Sequence, residues 1–251
     1  MQMDLNGDVG ESFGAYEIGH DAALIPVLTS ANIACGFHAG DPGVMRATVS
    51  LARQHGTAIG AHPGFPDLVG FGRREINATP REVEDFVAYQ IGALAAIAAA
   101  QGVRLAHVKP HGALYNMAAR DVGFADAIAR ATAAVDRSLM LFGLPGSKSL
   151  DAARQHGVRA VSEAFADRAY RADGSLVPRS EPGAVIDDPD VVVARAVAIS
   201  RERTVIAADG TRVALDVETI CVYGDTPGAA QLASRIRDAL LAAGVQVKAL
   251  T

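Results

Sequence analysis

A closed or nearly closed (β/α) barrel of seven or eight parallel strands is the fold this sequence predicts, and three observations predict it. Short apolar runs alternate with longer helical patterns through most of the 251 residues, which is the signature of βαβ units with right-handed crossovers. Several helices open with a capping side chain followed by proline. The ends of the apolar runs carry acids, imidazoles and an ammonium, as the C-terminal rim of such a barrel does. The length suits one domain over residues 1–251, and half of the residues are apolar, enough to build a core.

In chain order, strands are read at 2–7, 30–35, 57–61, 105–109, 139–143, 158–163, 219–223 and 245–249. Asp41-Pro42, Thr79-Pro80, Asp188-Pro189 and Thr226-Pro227 mark helix starts, and Glu82 completes a capping box with Thr79. Val83, Phe86, Val87, Leu94 and Ile97 form the apolar face of that helix, and Gly102 stops it. Gly56, Gly157 and Gly244 stop others. "TVIAADGTRVAL" (204–215) alternates on both sides of Asp209-Gly210, so a two-residue hairpin is expected there as an insertion in the last connection. No GxGxxG follows the first strand, which leaves a dinucleotide fold without support.

A net charge of −5, few aromatics and no Trp argue against a nucleic-acid or anionic-membrane partner. Cys35 and Cys221 make neither a CxxC pair nor a disulfide framework. "MQMDLNGDVGE" has no basic or apolar leader pattern, and "IGALAAIAAAQGV" is too short to span a bilayer, so a cytoplasmic protein is expected.

The strand ends hold the candidate chemistry. Asp4, Asn6 and Asp8 share one face of strand one, with Glu11 in the loop after it. His38 and Asp41 follow strand two, and His62 follows strand three. His107, Lys109 and His111 share a face of strand four, Glu163 ends strand six and Asp225 follows strand seven. Each has an ordinary structural reading: Asp41 caps the helix that Pro42 opens, and a single His at a loop start serves structure more often than chemistry. Convergence of five strand ends is what favours an active site. "GLPGSKS" is no Walker loop, because Ser147 separates Gly146 from Lys148; it reads as a tight strand-to-helix turn, or as a glycine-rich turn whose backbone N–H groups could meet an anion. "GAHPGFPDLVGFGRRE" (60–75) has four glycines and two prolines, which let backbone approach a small ligand. Its Arg73 and Arg74 could clamp a carboxylate or phosphate, or pair with Glu75 or another acid.

"DLNGDVGESFG", "ANIACGFHAGDP", "GAHPGFPDLVGFGRR", "HVKPHGALYN", "EAFADRAY" and "PRSEPGAVI" together resemble the LamB/YcsF family of bacterial 5-oxoprolinase A subunits, over about residues 3 to 245. The resemblance implies an irregular (β/α) barrel similar to NodB-like polysaccharide deacetylases. It implies ATP-dependent opening of 5-oxo-L-proline (pyroglutamate) to L-glutamate, with B and C partner subunits that carry the ATP chemistry. Gly7 stands where cysteine is common in that family, which removes a thiol role there. Under this reading Asp8 or Glu163 activates water, Lys109 stabilises developing charge and His111 protonates the leaving nitrogen. Asn6, Glu11, Arg73, Arg74 and His107 are the substrate-binding candidates. Asp8, His38 and His62 are the candidate ligands of a divalent metal, the set that the deacetylase likeness suggests. Two other classes fit the same residues: a metal-dependent amidohydrolase or deacetylase acting on a lactam or N-acyl sugar, and a non-catalytic subunit that only binds the substrate.

Overall fold

The structure, a computed structural model, describes residues 1–224 and 228–250. Its elements in chain order are β1 (Gln2–Val9), α1 (Asp21–Leu24) with a 3-10 turn (Ile25–Val27), β2 (Ser30–Ala34), α2 (Pro42–His55), β3 (Ala58–His62), α3 (Pro80–Ala99) and β4 (His107–Val108). There follow α4 (Gly112–Arg120), α5 (Val122–Val135), β5 (Met140–Gly143), α6 (Lys148–Gln155), β6 (Arg159–Phe165) and α7 (Pro189–Glu202). The chain ends with β7 (Thr204–Ile206), β8 (Arg212–Ala214), β9 (Thr219–Val222), α8 (Ala229–Ala242) and β10 (Gln246–Val247). Strands β1 to β6 lie side by side in sequence order, and β9 bonds both β6 and β1, so seven parallel strands close a barrel. The eighth expected strand, β10, is a short addition that pairs only with Gln2 and Met3.

Local chemistry sets the helix boundaries. Asp41 caps α2 by accepting from the Gly43 and Val44 N–H groups, and Asp188 caps α7 in the same way. Thr79 and Glu82 form the full capping box at α3. Gly56 ends α2 in the left-handed region (φ 68°), where its N–H reaches the Ala52 and Arg53 carbonyls. Ser147 caps α6 through the Leu150 N–H, which makes "GLPGSKS" a strand-to-helix turn. Thr226-Pro227 and Asp225 lie outside the described residues.

The hairpin forms, with one correction to its turn. The Ala207 N–H donates to Thr211 O and the Gly210 N–H to Ala207 O, so three residues, 208–210, make the loop, with Gly210 left-handed (φ 86°). A type I turn followed by a left-handed glycine satisfies the strand twist as well as a two-residue turn does.

The apolar core lies between barrel and helices. Leu5, Ile33, Ile59, Val108, Leu141 and Ile220 meet Val49, Val87, Ile91, Ile128, Ile199 and Ile236 in one buried cluster. Met140, Phe142 and Val161 form a separate small cluster with Ala106 and Leu250. The alternate strand positions carry Asp4, Asn6, Asp8, Ser30, Asn32, His107, Lys109, Glu163 and Thr219, all buried and hydrogen-bonded to one another. A barrel interior of this type is ordinarily filled by branched apolar side chains. Here a polar network fills much of it.

Candidate active site

Period-two spacing brings Asp8, Lys109 and Glu163 from three strands to one point. The Lys109 Nζ lies 3.0 Å from Asp8 Oδ1, 3.0 Å from Glu163 Oε1, 3.2 Å from Asn6 Oδ1 and 2.8 Å from Cys221 Sγ. Its three N–H groups therefore face four acceptors, which fixes the ammonium tightly. Burial alone would lower the Lys109 pKa, but Asp8, Cys221 and Glu163 outweigh it and hold the amine charged. Burial would raise the Asp8 carboxyl, yet His62 and Lys109 overcome it and keep it well below the usual carboxylate range. Glu163 goes the other way: burial raises it and Lys109 only partly compensates. Two carboxylates on one ammonium are thus pushed apart in proton affinity, the pattern of an acid and a base.

A second group sits against Asp8. His62 Nε2 lies 3.4 Å from Asp8 Oδ2 and 3.0 Å from His111 Nδ1. Glu11 Oε1 lies 3.5 Å from His38 Nε2 and 3.6 Å from His111 Nδ1. The His38 and His111 rings stack at 3.8 Å. One ligand atom from each of Glu11, His38, His62 and His111 fits within a 4.8 Å span, and all four residues are buried. Burial and the neighbouring imidazoles hold His38 well below its usual value and push His111 to about 3, so both are neutral.

The glycine-rich loop closes over this group. Gly72 adopts φ 63°, and a Cβ there would lie 2.7 Å from His38 Cβ and 2.8 Å from His111 Cδ2. Phe71, left-handed at φ 54° without being glycine, aims its carbonyl at His111 Nε2, 2.8 Å away. Asp67 Oδ1 accepts from the Gly70 N–H, and the Arg74 Nε stands 3.1 Å from both Asp67 oxygens.

The sequence expectations fare unevenly against this geometry. Asp8, Lys109 and Glu163 meet as expected of the catalytic group, and Arg73 lies over the Phe71 ring at the loop. Of the two outcomes weighed for Arg74, the structure shows pairing with an acid, Asp67, while Glu75 pairs with Arg120. Asn6 and His107 lie within the polar network of the barrel interior. Asn6 gives its amide to Glu163 and Thr219 while its oxygen accepts from Asn32 and Lys109. His107 donates from Nε2 to Asn32 Oδ1 at 2.7 Å and stacks on Phe142, fully buried. Glu11 faces the histidines, and it stands in the four-residue group where the sequence reading put Asp8. Asp8 is instead engaged by Lys109 and Asn32. His111 commits its Nε2 proton to Phe71 O, which leaves no proton on Nδ1 of the neutral ring for a leaving group.

Sequence reasoning did not place Asn32, Tyr115 or Cys221 at the site. Asn32 bridges Asn6 and Asp8, and the Tyr115 hydroxyl donates to Glu163 Oε2. Spacing carried a signal for each of them: Asn32 lies two residues after Ser30, Cys221 two after Thr219, and Tyr115 four after His111 on α4.

Known proteins resemble the chain over its whole length. The family model described as LamB/YcsF matches residues 3–251. A protein named as the A subunit of 5-oxoprolinase, from Tolumonas auensis, is 54% identical over 249 residues, 99% of each chain. Another of that name from Symbiobacterium thermophilum is 56% identical over 248 residues, covering 99% of this chain and 95% of its own. The crystal structure of a lactam utilization protein from Thermus thermophilus superimposes with a TM-score of 0.95 at 51% identity, covering the whole of both chains. On a match of that extent, carried through the strand ends that build the site, the chain belongs to the LamB/YcsF family.

Proposed function

We propose that this chain is the A subunit of a multi-subunit 5-oxoprolinase and opens 5-oxo-L-proline to L-glutamate with ATP hydrolysis, alongside B and C partner subunits that handle the nucleotide. The observation that carries the reading is the buried Asp8–Lys109–Glu163 triad, one ammonium between two carboxylates of opposite proton affinity. The names of the relatives support the substrate class.

A five-membered lactam is a stable amide, and phosphorylation of its carbonyl oxygen by ATP makes that carbon electrophilic; water addition and C–N cleavage then leave a γ-glutamyl phosphate, which a second water hydrolyses to glutamate and phosphate. Asp8, held ionised, takes a proton from the attacking water. Lys109, held charged among its acceptors, balances the negative charge that develops. The proton that Asp8 takes from water passes to the ring nitrogen as the C–N bond breaks, while Glu163, which accepts from Lys109, Asn6 and Tyr115, holds the ammonium in place. A divalent cation at the mouth belongs to this reading and would supply a Lewis acid for the oxygen of the substrate.

Glutamate release from 5-oxoproline and ATP tests the proposal, with this chain alone and with its separately purified partners. Release is expected only in the full mixture, and Asp8→Asn is expected to lower it by roughly 100-fold or more. Release by this chain alone without ATP would instead make it a self-sufficient amidohydrolase. Unchanged turnover by Asp8→Asn would reduce it to a binding subunit.

A further inference from the structure

The two inner histidines have their tautomers fixed by backbone. A carbonyl oxygen only accepts, so the 2.6 Å contact of His62 Nδ1 with Lys109 O places the His62 proton on Nδ1. The contact of His111 Nε2 with Phe71 O places the His111 proton on Nε2 by the same logic. With those protons assigned, His62 Nε2 and His111 Nδ1 face each other at 3.0 Å, and only a proton or another cation between them relieves the two lone pairs. The nearest remaining groups, Asp8 Oδ2 and Glu11 Oε1, are acceptors as well. His38 is a third buried imidazole, with no hydrogen-bond partner on either nitrogen, and its Nε2 faces Glu11. Several lone pairs converging on one dry point repel unless a positive species sits among them.

We propose that Glu11, His38, His62 and His111 together hold one first-row transition-metal dication, through Glu11 Oε1, His38 Nε2, His62 Nε2 and His111 Nδ1, with Asp8 outside the ligand set. The inference rests on reading the mouth as a hydrolytic centre, and it specifies which residues serve that centre. Three imidazoles and one carboxylate suit zinc, iron, cobalt or nickel, whereas magnesium and calcium favour all-oxygen sites. Nitrogens 3.0 Å apart match neighbouring positions around an ion with bonds of about 2.1 Å. Metal-bound histidines commonly donate their second N–H to a backbone carbonyl, and Lys109 O and Phe71 O provide that support here. Asp8 stands outside the group whose ligand atoms share one 4.8 Å span; its Oδ2 lies 3.4 Å from His62 Nε2, while Lys109 Nζ and Asn32 Nδ2 donate to Oδ1, so an ion bound by Asp8 would face the ammonium of Lys109. Phe71 also gains a purpose, since its unusual backbone aims the carbonyl that sets the His111 tautomer.

The chain, purified without a histidine tag, is stripped with a chelator, titrated with Co²⁺ and followed by visible absorption, with bound Zn²⁺ counted by elemental analysis. One ion per chain is expected, with hyperfine-shifted imidazole protons from three histidines in the Co²⁺ form. Glu11→Gln and His38→Gln, each checked for folding by circular dichroism, are expected to weaken binding at least 10-fold, while Asp8→Asn stays within about 3-fold of the parent. A folded parent that takes up no ion overturns the proposal and makes the positive species a proton. Signals from fewer than three histidines, or loss of binding in Asp8→Asn with retention in Glu11→Gln, overturn the ligand set, even if a variant fails to fold. No turnover enters these readings: stoichiometric metal without glutamate release in the full mixture would sink the lactam assignment and leave the ligand set standing.

Discussion

Lys109 is the residue on which most of the barrel interior depends. It is the ammonium among Asp8, Glu163 and the oxygen of Asn6, and it donates to both carboxylates. Lys109→Met fills a similar volume but leaves two buried acids facing each other without a cation. Loss of one partner of a buried ion pair typically costs about 3–5 kcal/mol, and urea unfolding of Lys109→Met is expected to show a loss of that order. A variant as stable as the parent would mean that the acids are already neutral. Glu163 and Asp8 were legible as strand-end acids, but their opposite shifts were not, because each depends on neighbours from other strands.

At the scale of an element, β3 shows how a strand makes room for chemistry. Gly60 aligns with His107 on β4, and a Cβ at Gly60 would lie 2.1 Å from His107 Nε2. The imidazole occupies the space a side chain would need, and from there it donates to Asn32, which in turn orients Asp8. Gly60→Ala is therefore expected to destabilise the protein by about 3 kcal/mol or more through overpacking. Adding His107→Ala removes the clash, so the double variant is expected to be more stable than Gly60→Ala alone, a non-additivity readable in thermal unfolding. Additive losses would show that the strand moves away instead. The glycine was visible in "TAIGA" and His107 in "HVKPHG", yet only the β3–β4 register sets them against each other. The same holds for the loop at 67–74: its glycines announced close backbone approach, whereas the pairing of Arg74 with Asp67 needed the folded turn.

Across the whole molecule, stability follows the protons that folding takes up. Asp167, just past β6 and before Arg168, is raised to about 6, first by burial and against the pull of Arg168 and Arg179; its Oδ1 has no hydrogen-bond partner. An acid whose folded value lies above its unfolded value near 3.8 adds stability that is complete at low pH. That contribution is lost as pH rises through about 6, because the folded chain must then bury a charge. Asp167→Asn removes the charge, so it is expected to gain about 2 kcal/mol over the parent at pH 8 and nothing at pH 4, by denaturant unfolding at both. The partial exposure of the residue keeps the figure below the full linkage value. An equal effect at both pH values would assign the change to packing rather than charge.

By itself the sequence determined the barrel, because alternation of short apolar runs with capped helices leaves a parallel sheet almost no other closure. It also determined which strand ends carry chemistry, since period-two spacing forces Asp4, Asn6 and Asp8, or His107 and Lys109, onto one face. The tertiary structure alone decided which of these residues face the mouth and which brace it. Parallel register across seven strands sets His107 against Gly60 and Asn32 and sends Asn6 into the network below Asp8, and the loop after β1 brings Glu11 to the three histidines. Those placements rest on contacts between residues far apart in the chain, such as Asn6 with Glu163 across 157 residues, and no local pattern carries distances of that kind.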